Sequence, residues 1–280
     1  MIKRRKLKIV LFACLLVLIE QHINAQDSVY TNSIGMKLVF IKPGSFIVGK
    51  FQPPYPNPPV TKNGGEEERG YNEAEYKLAE ELAKRDARTG FQFVIQKPFY
   101  IGQFEVTQEQ WQKVMGSNPA FFQGDKITDD SKLHPVDNVS WKDVQKFLKK
   151  LNRLEGGKAT YRLPSEFEWE YAARAGATDD IPWAQIRQQA QIGNRTTNAV
   201  GGKQPNAWGL YDMLGNVWEW VQDYYNEKIF ADPIPPNRGR QHVLKGASFV
   251  GDVKNATYMT HAAGPGNGWD VGFRVVMEVQ

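Results

Sequence analysis

The sequence predicts an α+β fold, a single compact domain with little regular secondary structure. Thr107 and Ser165 are each followed three positions later by Gln or Glu, the capping-box pattern that begins a helix. Ser140 precedes a stretch in which apolar residues recur at helical spacing, which predicts a helix with one buried face. Short apolar runs predict strands, and beyond Gly176 the chain is dense in glycine, asparagine, proline and tryptophan. We therefore expect long ordered loops in the second half of the chain.

Each element has its own local signal. Residues 34–49 hold two short apolar stretches joined at Pro43-Gly44, which predicts a β-hairpin. Two further strands are predicted between residues 91 and 105, on either side of Lys97-Pro98. The remaining predicted elements are an exposed helix over 71–88, helices over 111–115, 141–152 and 167–174, and a last strand over 272–276.

The composition fits a globular protein rather than a disordered, collagenous or disulfide-stapled one. Of the 280 residues, 41% are hydrophobic and 24% are charged, and the formal net charge is +4. Five positive charges lie within the first eight residues and Glu20 is the only acid before Gln26, so residues 26–280 are formally neutral. This neutrality gives no electrostatic case for binding nucleic acid or acidic membranes. No repeat or linker divides residues 26–280, which predicts one domain there.

The first 25 residues have the layout of a secretory signal peptide. A basic stretch leads into an apolar run, residues 9–19, and a short polar region ends at Ala25, where cleavage is predicted. The apolar run is shorter than the roughly 20 residues that a membrane-spanning helix needs. The alternative is a lipoprotein cut before Cys14, which bulky Phe12 and the apolar residues after Cys14 disfavour. We expect export to the periplasm, the outer surface or the medium.

Cysteine chemistry is absent from the predicted mature chain. Cys14 is the only cysteine, and it lies within the predicted signal peptide. Residues 26–280 therefore have no thiol for a disulfide, a nucleophile or a cysteine-ligated metal.

Short motifs follow one another in a fixed order over residues 32–49 and 91–276. They include Pro43-Gly44-Ser45-Phe46, Leu163-Pro164-Ser165-Glu166, Gly215-Asn216-Val217-Trp218-Glu219-Trp220 and Gly272-Phe273-Arg274. In this order they resemble the formylglycine-generating enzyme family, also called the sulfatase-modifying factor family. The resemblance implies a compact α+β fold related to C-type lectins. Residues from about 50 to 90 are an insertion where the family has a short connection.

The activity that the resemblance implies is the oxidation of a sulfatase cysteine to formylglycine, with a copper ion held by two cysteines. Matched to the family, those two positions are Ala256 and His261 in this chain. Soft thiolates select monovalent copper, whereas alanine offers no ligand atom and one imidazole does not replace two sulfurs. We therefore expect no copper, assign no catalytic residue and predict a pseudoenzyme.

The resemblance also implies a structural calcium ion in the loop from Asp212 to Glu219. The implied ligands are the side chains of Asp212 and Glu219 and the main-chain carbonyls of Gly215 and Val217. Calcium prefers six to eight oxygen ligands, which a turn with two carboxylates can supply in part. The alternative is that both carboxylates only accept hydrogen bonds from buried main-chain donors.

The leading interpretation is an exported, non-catalytic member of this family that binds a protein or glycan partner at the cell envelope. One alternative is an enzyme: either the formylglycine-generating oxidase itself or a different chemistry built around His261. In the second case we expect Asp252, Asn255 or Tyr258 to lie close to His261.

Overall fold

A computed structural model describes residues 28–48, 90–178, 181, 183–230, 233–253, 255–264 and 266–279. The predicted signal peptide and the predicted helix over 71–88 lie outside these residues. Within them the chain forms eleven β-strands, four α-helices and two single-turn 3-10 helices. No helix in this described part is long and apolar enough to cross a membrane.

The largest sheet has five strands in the order β1-β2-β5-β11-β6, and all its pairs are antiparallel. Its strands are β1 (Val29–Thr31), β2 (Lys37–Ile41), β5 (Phe99–Gly102), β6 (Tyr161–Arg162) and β11 (Val276–Glu278). The chain's last strand therefore lies between two strands that come much earlier in the sequence. This arrangement joins the N-terminal and C-terminal parts of the described chain in one sheet.

The second sheet has four strands in the order β10-β7-β8-β9. They are β7 (Trp218–Tyr224), β8 (His242–Lys245), β9 (His261–Ala263) and β10 (Val271–Gly272). Strand β10 runs parallel to β7, and the other pairs are antiparallel. The β7–β8 register shifts between Trp220 and Tyr224, which marks a bulge.

The predicted hairpin over residues 34–49 is wrong in its pairing, although both strands exist. Strand β3 (Gly44–Val48) does not pair with β2 but forms a separate two-stranded sheet with β4 (Phe91–Ile95). The reason is that β2 already has β1 on one edge and β5 on the other. The inner face of the β3–β4 sheet packs against helix α3 (Glu166–Arg174), where the rings of Phe93 and Phe167 are 4.8 Å apart.

The predicted last strand, 272–276, is also corrected. Gly272 ends β10 in one sheet and Val276 begins β11 in another, so residues 273–275 cross between the sheets. Two main-chain hydrogen bonds hold the crossing segment. The N–H of Val106 donates to the carbonyl of Phe273, and the N–H of Gly102 donates to the carbonyl of Val275. A local apolar pattern does not reveal such a crossing, because the segment is buried throughout.

The three predicted helices with capping signals are confirmed. They are α1 (Gln108–Met115), α2 (Trp141–Leu154) and α3. Thr107, Ser140 and Ser165 each form a complete capping box, so two orphan N–H groups are satisfied at each start. A fourth helix, α4 (Trp183–Gln189), was not predicted.

Helix α3 lies at the centre of the molecule. Every residue of α3 except Glu168 is buried, and Trp169 is fully buried. The helix contacts β3 of the small sheet and both β7 and β8 of the four-stranded sheet. Because α3 is shared in this way, charged residues on its buried faces must find partners inside the protein.

Candidate functional site

The loop from Asp212 to Glu219 makes an unusually tight turn between buried elements. Asp212, Gly215 and Asn216 all have positive φ, at 53°, 83° and 55°. A side chain at Gly215 would collide with the main chain of Gln191, so glycine is required there. The N–H of Gly215 donates to the carbonyl of Gly246 (2.7 Å), and the N–H of Asn216 donates to the main-chain carbonyl of Gln191 (2.8 Å). The loop is therefore fixed by its main chain.

Three buried carboxylates surround one buried guanidinium at this loop. Arg274 Nη2 lies 2.7 Å from Glu219 Oε1, and Arg274 Nε lies 2.7 Å from Glu219 Oε2. Trp169 Nε1 also donates to Glu219 Oε2 (2.7 Å). The other two carboxylates, Glu105 and Asp212, sit 1% and 2% exposed without a direct ion pair of their own to Arg274. If all three acids were ionised, the cluster would carry excess negative charge.

Main-chain and amide groups hold the remaining two acids. Glu105 accepts from the N–H of Val217 (3.1 Å) and from the Asn216 side-chain amide (2.6 Å). Asp212 Oδ2 accepts from the N–H of Gly201 (2.6 Å), whereas no hydrogen bond to its buried Oδ1 is found among the described residues. A carboxylate oxygen without a partner is costly to bury.

The pKa values of these acids follow from that arrangement. Burial raises the pKa of Glu105 well above its usual range, and the charges of Asp212 and Glu219 raise it further. Burial likewise raises the pKa of Asp212 to about 6, although its hydrogen bond from Gly201 and the charge of Arg274 act in the opposite direction. Ionising all three carboxylates together is thus unfavourable unless a further cation is present.

The predicted calcium ligands fit a cation only in part. Asp212 Oδ1 is available, and Glu219 Oε1 accepts one hydrogen bond and retains a second lone pair. Glu219 Oε2, in contrast, already accepts two hydrogen bonds, from Trp169 and Arg274. No group of three or more His, Cys, Asp or Glu side chains in the described ranges is placed to hold a metal, so calcium would depend on main-chain carbonyls such as those of Gly215 and Val217. Calcium stays a prediction.

Of the two positions matched to the family's cysteines, His261 begins β9 and Ala256 lies five residues before it. Ala256 is fully buried in the apolar core. The side chain of His261 is 12% exposed, and its Nδ1 lies 3.0 Å from Glu166 Oε1 at the start of α3. The rings of Tyr225 and Phe230 lie 5.1 Å and 4.9 Å from the imidazole. His261 therefore closes the outer end of a buried polar cluster.

That buried cluster contains two acids and two bases below His261. Lys245 is fully buried, and its Nζ lies 3.9 Å from Glu166 Oε1 and 3.7 Å from Glu170 Oε2. Arg174 Nη2 lies 2.7 Å from Glu170 Oε1. The four charges balance in number, which is how a protein tolerates ions in its interior.

The residues expected near His261 make contacts of their own. Tyr258 is buried with its ring 5.7 Å from the Arg174 guanidinium. Asp252 and Asn255 lie in the preceding loop, where the N–H of Asn255 donates to the carbonyl of Asp252. The partner that the structure gives to His261 is Glu166, which the sequence reading missed. The sequence did signal one buried charge, because Arg274 directly follows an apolar residue within the predicted strand 272–276.

The chain resembles known proteins over most of its length. The family model described as "Sulfatase-modifying factor enzyme 1-like domain" matches residues 31–279. The chain is 29% identical over 235 residues to "Chaperone protein LppX" of Paenibacillus barcinonensis, a match that covers 64% of this chain and 79% of that protein. It is 34% identical over 141 residues to the formylglycine-generating enzyme of Streptomyces coelicolor, covering 42% of each. The chain thus spans less than half of that enzyme.

A solved structure shows the same fold. PvdO from Pseudomonas aeruginosa superposes with a TM-score of 0.66 at 22% sequence identity, over 90% of this chain and 98% of that one. The likeness confirms the predicted α+β domain of the formylglycine-generating enzyme fold.

Replacing Arg274 with methionine tests the dependence of the fold on this cluster. We expect Arg274→Met to lower the free energy of unfolding at pH 7 by about 3–5 kcal/mol, because it leaves buried carboxylates without their cation. The loss should shrink as the pH falls toward about 6, the pKa of Asp212, because a protonated carboxyl no longer needs the cation; protonation of Glu105, whose pKa burial also raises, acts in the same direction. Urea unfolding at several pH values measures both effects.

The matched control is Lys146→Met, which breaks the exposed Lys146–Asp143 pair. We expect it to change the free energy of unfolding by at most about 1 kcal/mol at any pH. Equal losses in the two variants would contradict the central role of Arg274.

Proposed function

This chain belongs to the sulfatase-modifying factor enzyme 1-like family, and we propose that it is an exported member without oxidase activity that binds a protein or glycan partner at the cell envelope. The observation that carries the proposal is the absence of cysteine from the whole family-matching region, residues 31–279. The family's copper chemistry needs two thiolates, and this region has none.

The surroundings of the two matched positions support the same conclusion. Ala256 is packed among apolar side chains and has no ligand atom. The Nδ1 of His261 is committed to Glu166, which leaves one ring nitrogen. A single nitrogen does not replace a pair of soft sulfur ligands for monovalent copper. The scaffold is thus retained without the means of the family's oxidation.

Partner binding is supported by a relative, and export by the N-terminal pattern. The protein from Paenibacillus barcinonensis that matches most of this chain is named a chaperone rather than an oxidase. Residues 1–25 carry the charge and hydropathy layout of a secretory signal. A formally neutral domain that carries no oxidase site is suited to binding a partner without electrostatic attraction to nucleic acid.

Oxidase activity is tested directly with a peptide. We expect the mature chain, residues 26–280, to form no aldehyde on a peptide that carries the sulfatase cysteine motif, with copper and oxygen supplied. The measurement is mass spectrometry after trapping of aldehydes, and the Streptomyces coelicolor enzyme serves as the positive control. Conversion of the peptide by this chain above the rate without protein would refute the proposal.

Association with an envelope partner is measured in the same preparation. The immobilised mature chain is exposed to detergent-solubilised envelope of its own cell, with and without chelator. We expect saturable capture of one protein or glycan, which soluble cytoplasmic extract does not supply. Capture that is equal from both extracts would count against an envelope role.

Calcium is proposed as a structural ion that strengthens the loop from Asp212 to Glu219. We expect calcium at a hundredfold excess over its Kd to raise the melting temperature by about 5–10 °C, and chelator to reverse the rise. Asp212→Ala should abolish the shift, because it removes the free Oδ1. Asp125→Ala, at an exposed position, should retain it. An unchanged melting temperature in the unaltered chain excludes the ion.

A second candidate function, acid–base chemistry at His261, is favoured by its contact with Glu166. A carboxylate that accepts from Nδ1–H fixes the tautomer and leaves the lone pair on Nε2, which can then act as a base. We expect diethyl pyrocarbonate to modify His261 and to spare His134, whose ring is 1% exposed and hydrogen-bonded at both nitrogens. Peptide mapping measures both sites. An unreactive His261 would assign it a structural role.

A further inference from the structure

Strand β4 (Phe91–Ile95) has a partner on one edge only. It pairs with β3 in a sheet of two strands, and among the described residues no other strand adjoins it. In an antiparallel pair, alternate residues direct their N–H and C=O groups away from the partner strand. The outer edge of β4 therefore presents a row of main-chain donors and acceptors. Such an edge is a template for pairing with another chain unless it is covered.

The edge of the five-stranded sheet shows what a covered edge looks like in this protein. At β6, the side chain of Asn152 donates to the carbonyl of Tyr161 (2.9 Å) and accepts from its N–H (2.7 Å). Asn152 thereby imitates a neighbouring strand. No side chain in the described part of the chain makes a comparable pair of bonds to the main chain of β4. The two edges differ in this respect.

A cleft adjoins β4 at residues 93–95. It has a volume of about 510 Å³, within the size range of ligand pockets. Residues 93–99 form one wall, and the opposite wall includes Arg162, Ser165, Glu168 and Glu278. The cleft thus separates the small sheet from the end of the five-stranded sheet. Seven consecutive residues, 93–99, line one of its sides.

The charges on the opposite wall satisfy one another. Arg162 makes two hydrogen bonds to Glu168, at 2.6 Å and 2.8 Å, and a third to Glu278 at 2.9 Å. These three groups together carry a formal charge of −1, and Lys97 in the stretch 93–99 brings the formal charge of the cleft lining to zero. The cleft is polar and formally neutral, which suits an uncharged ligand rich in hydrogen-bonding groups.

On the outward face of the small sheet, each of the two strands has one exposed apolar side chain. Val94 of β4 is 52% exposed and Ile47 of β3 is 44% exposed, on the face of the small sheet that points away from α3. Exposed branched apolar residues on a strand favour contact with side chains of a neighbouring strand. Of the two, Val94 lies on the strand whose edge is open.

We propose that the open edge of β4 and the cleft beside it bind an extended polypeptide segment of a partner protein as an additional β-strand. This proposal rests on the proposed function and specifies its partner as protein rather than glycan. An open strand edge is matched by the regular donors and acceptors of a polypeptide main chain, whereas a glycan has no such repeat. The mode is β-augmentation, in which main-chain hydrogen bonds give affinity and neighbouring side-chain contacts give selectivity. Strand β4 offers about five residues for pairing, or roughly 17 Å.

The experiment selects ligands from a displayed library of random linear peptides on the mature chain and measures their affinity by calorimetry. We expect N-methylation of alternate peptide amides to weaken binding about tenfold each, and methylation of the intervening amides to have little effect. Amide hydrogen exchange at residues 92–96 should slow when a peptide is bound. Binding that is indifferent to methylation, or protection found elsewhere, overturns the proposal.

Two matched variants locate the site. Val94→Lys places a charge beside the open edge, which is how natural proteins block edge pairing, and should weaken the selected peptides several-fold. Ile47→Lys makes the same change on the same face but on the neighbouring strand, and should leave affinity unchanged. Both positions are exposed, so folding is not at risk. If both substitutions change the peptide affinity equally, the edge of β4 is not the binding site.

The same variants separate this proposal from the one on which it rests. If Val94→Lys still captures the envelope partner while the peptides fail to protect residues 92–96, the strand edge is wrong and partner binding stands. If the unaltered chain converts the sulfatase peptide, the non-catalytic role fails, whatever the peptides do. If the captured partner is a glycan and not a protein, the strand-edge proposal fails and the proposed function stands.

Discussion

The pair formed by Arg274 and Glu219 is the interaction on which the centre of this fold depends. Arg274 is fully buried and also donates to the carbonyls of Gly102, Tyr211 and Asp212. One side chain therefore connects the crossing segment, strand β7, the end of β5 and the loop at Asp212. Because a buried guanidinium must satisfy most of its donors inside the protein, these elements can come together in few ways.

A second charged cluster is built on the same principle for a different region. Lys245, Arg174 and two glutamates of α3 balance one another beneath His261. In the family's enzymes, as the sequence resemblance implies, this neighbourhood serves oxidation by copper. Here it contains His261, whose imidazole is hydrogen-bonded to the carboxylate of Glu166 and lies close to two aromatic rings. Retaining the scaffold while exchanging the side chains at one place is how a family acquires members with different roles.

Local chemistry made most helices and strands predictable, whereas the pairing of the strands could not be predicted from it. A capping box lies within four residues, so Thr107, Ser140 and Ser165 could be read directly. The partner of β3, in contrast, depends on which edges of β2 are already taken, and the contact between Glu166 and His261 joins residues 95 positions apart. The positions matched to the cysteines came from family resemblance, and their surroundings required the folded chain.

The place of β11 has a consequence for the order of assembly. Residues 276–278 pair with β5 on one side and β6 on the other, so the five-stranded sheet stays divided until nearly all of the described chain has been synthesised. Contacts this distant along the polypeptide close slowly, because a long loop must be ordered first. A nascent chain emerging from the ribosome therefore cannot close this sheet until residues 276–278 have been made.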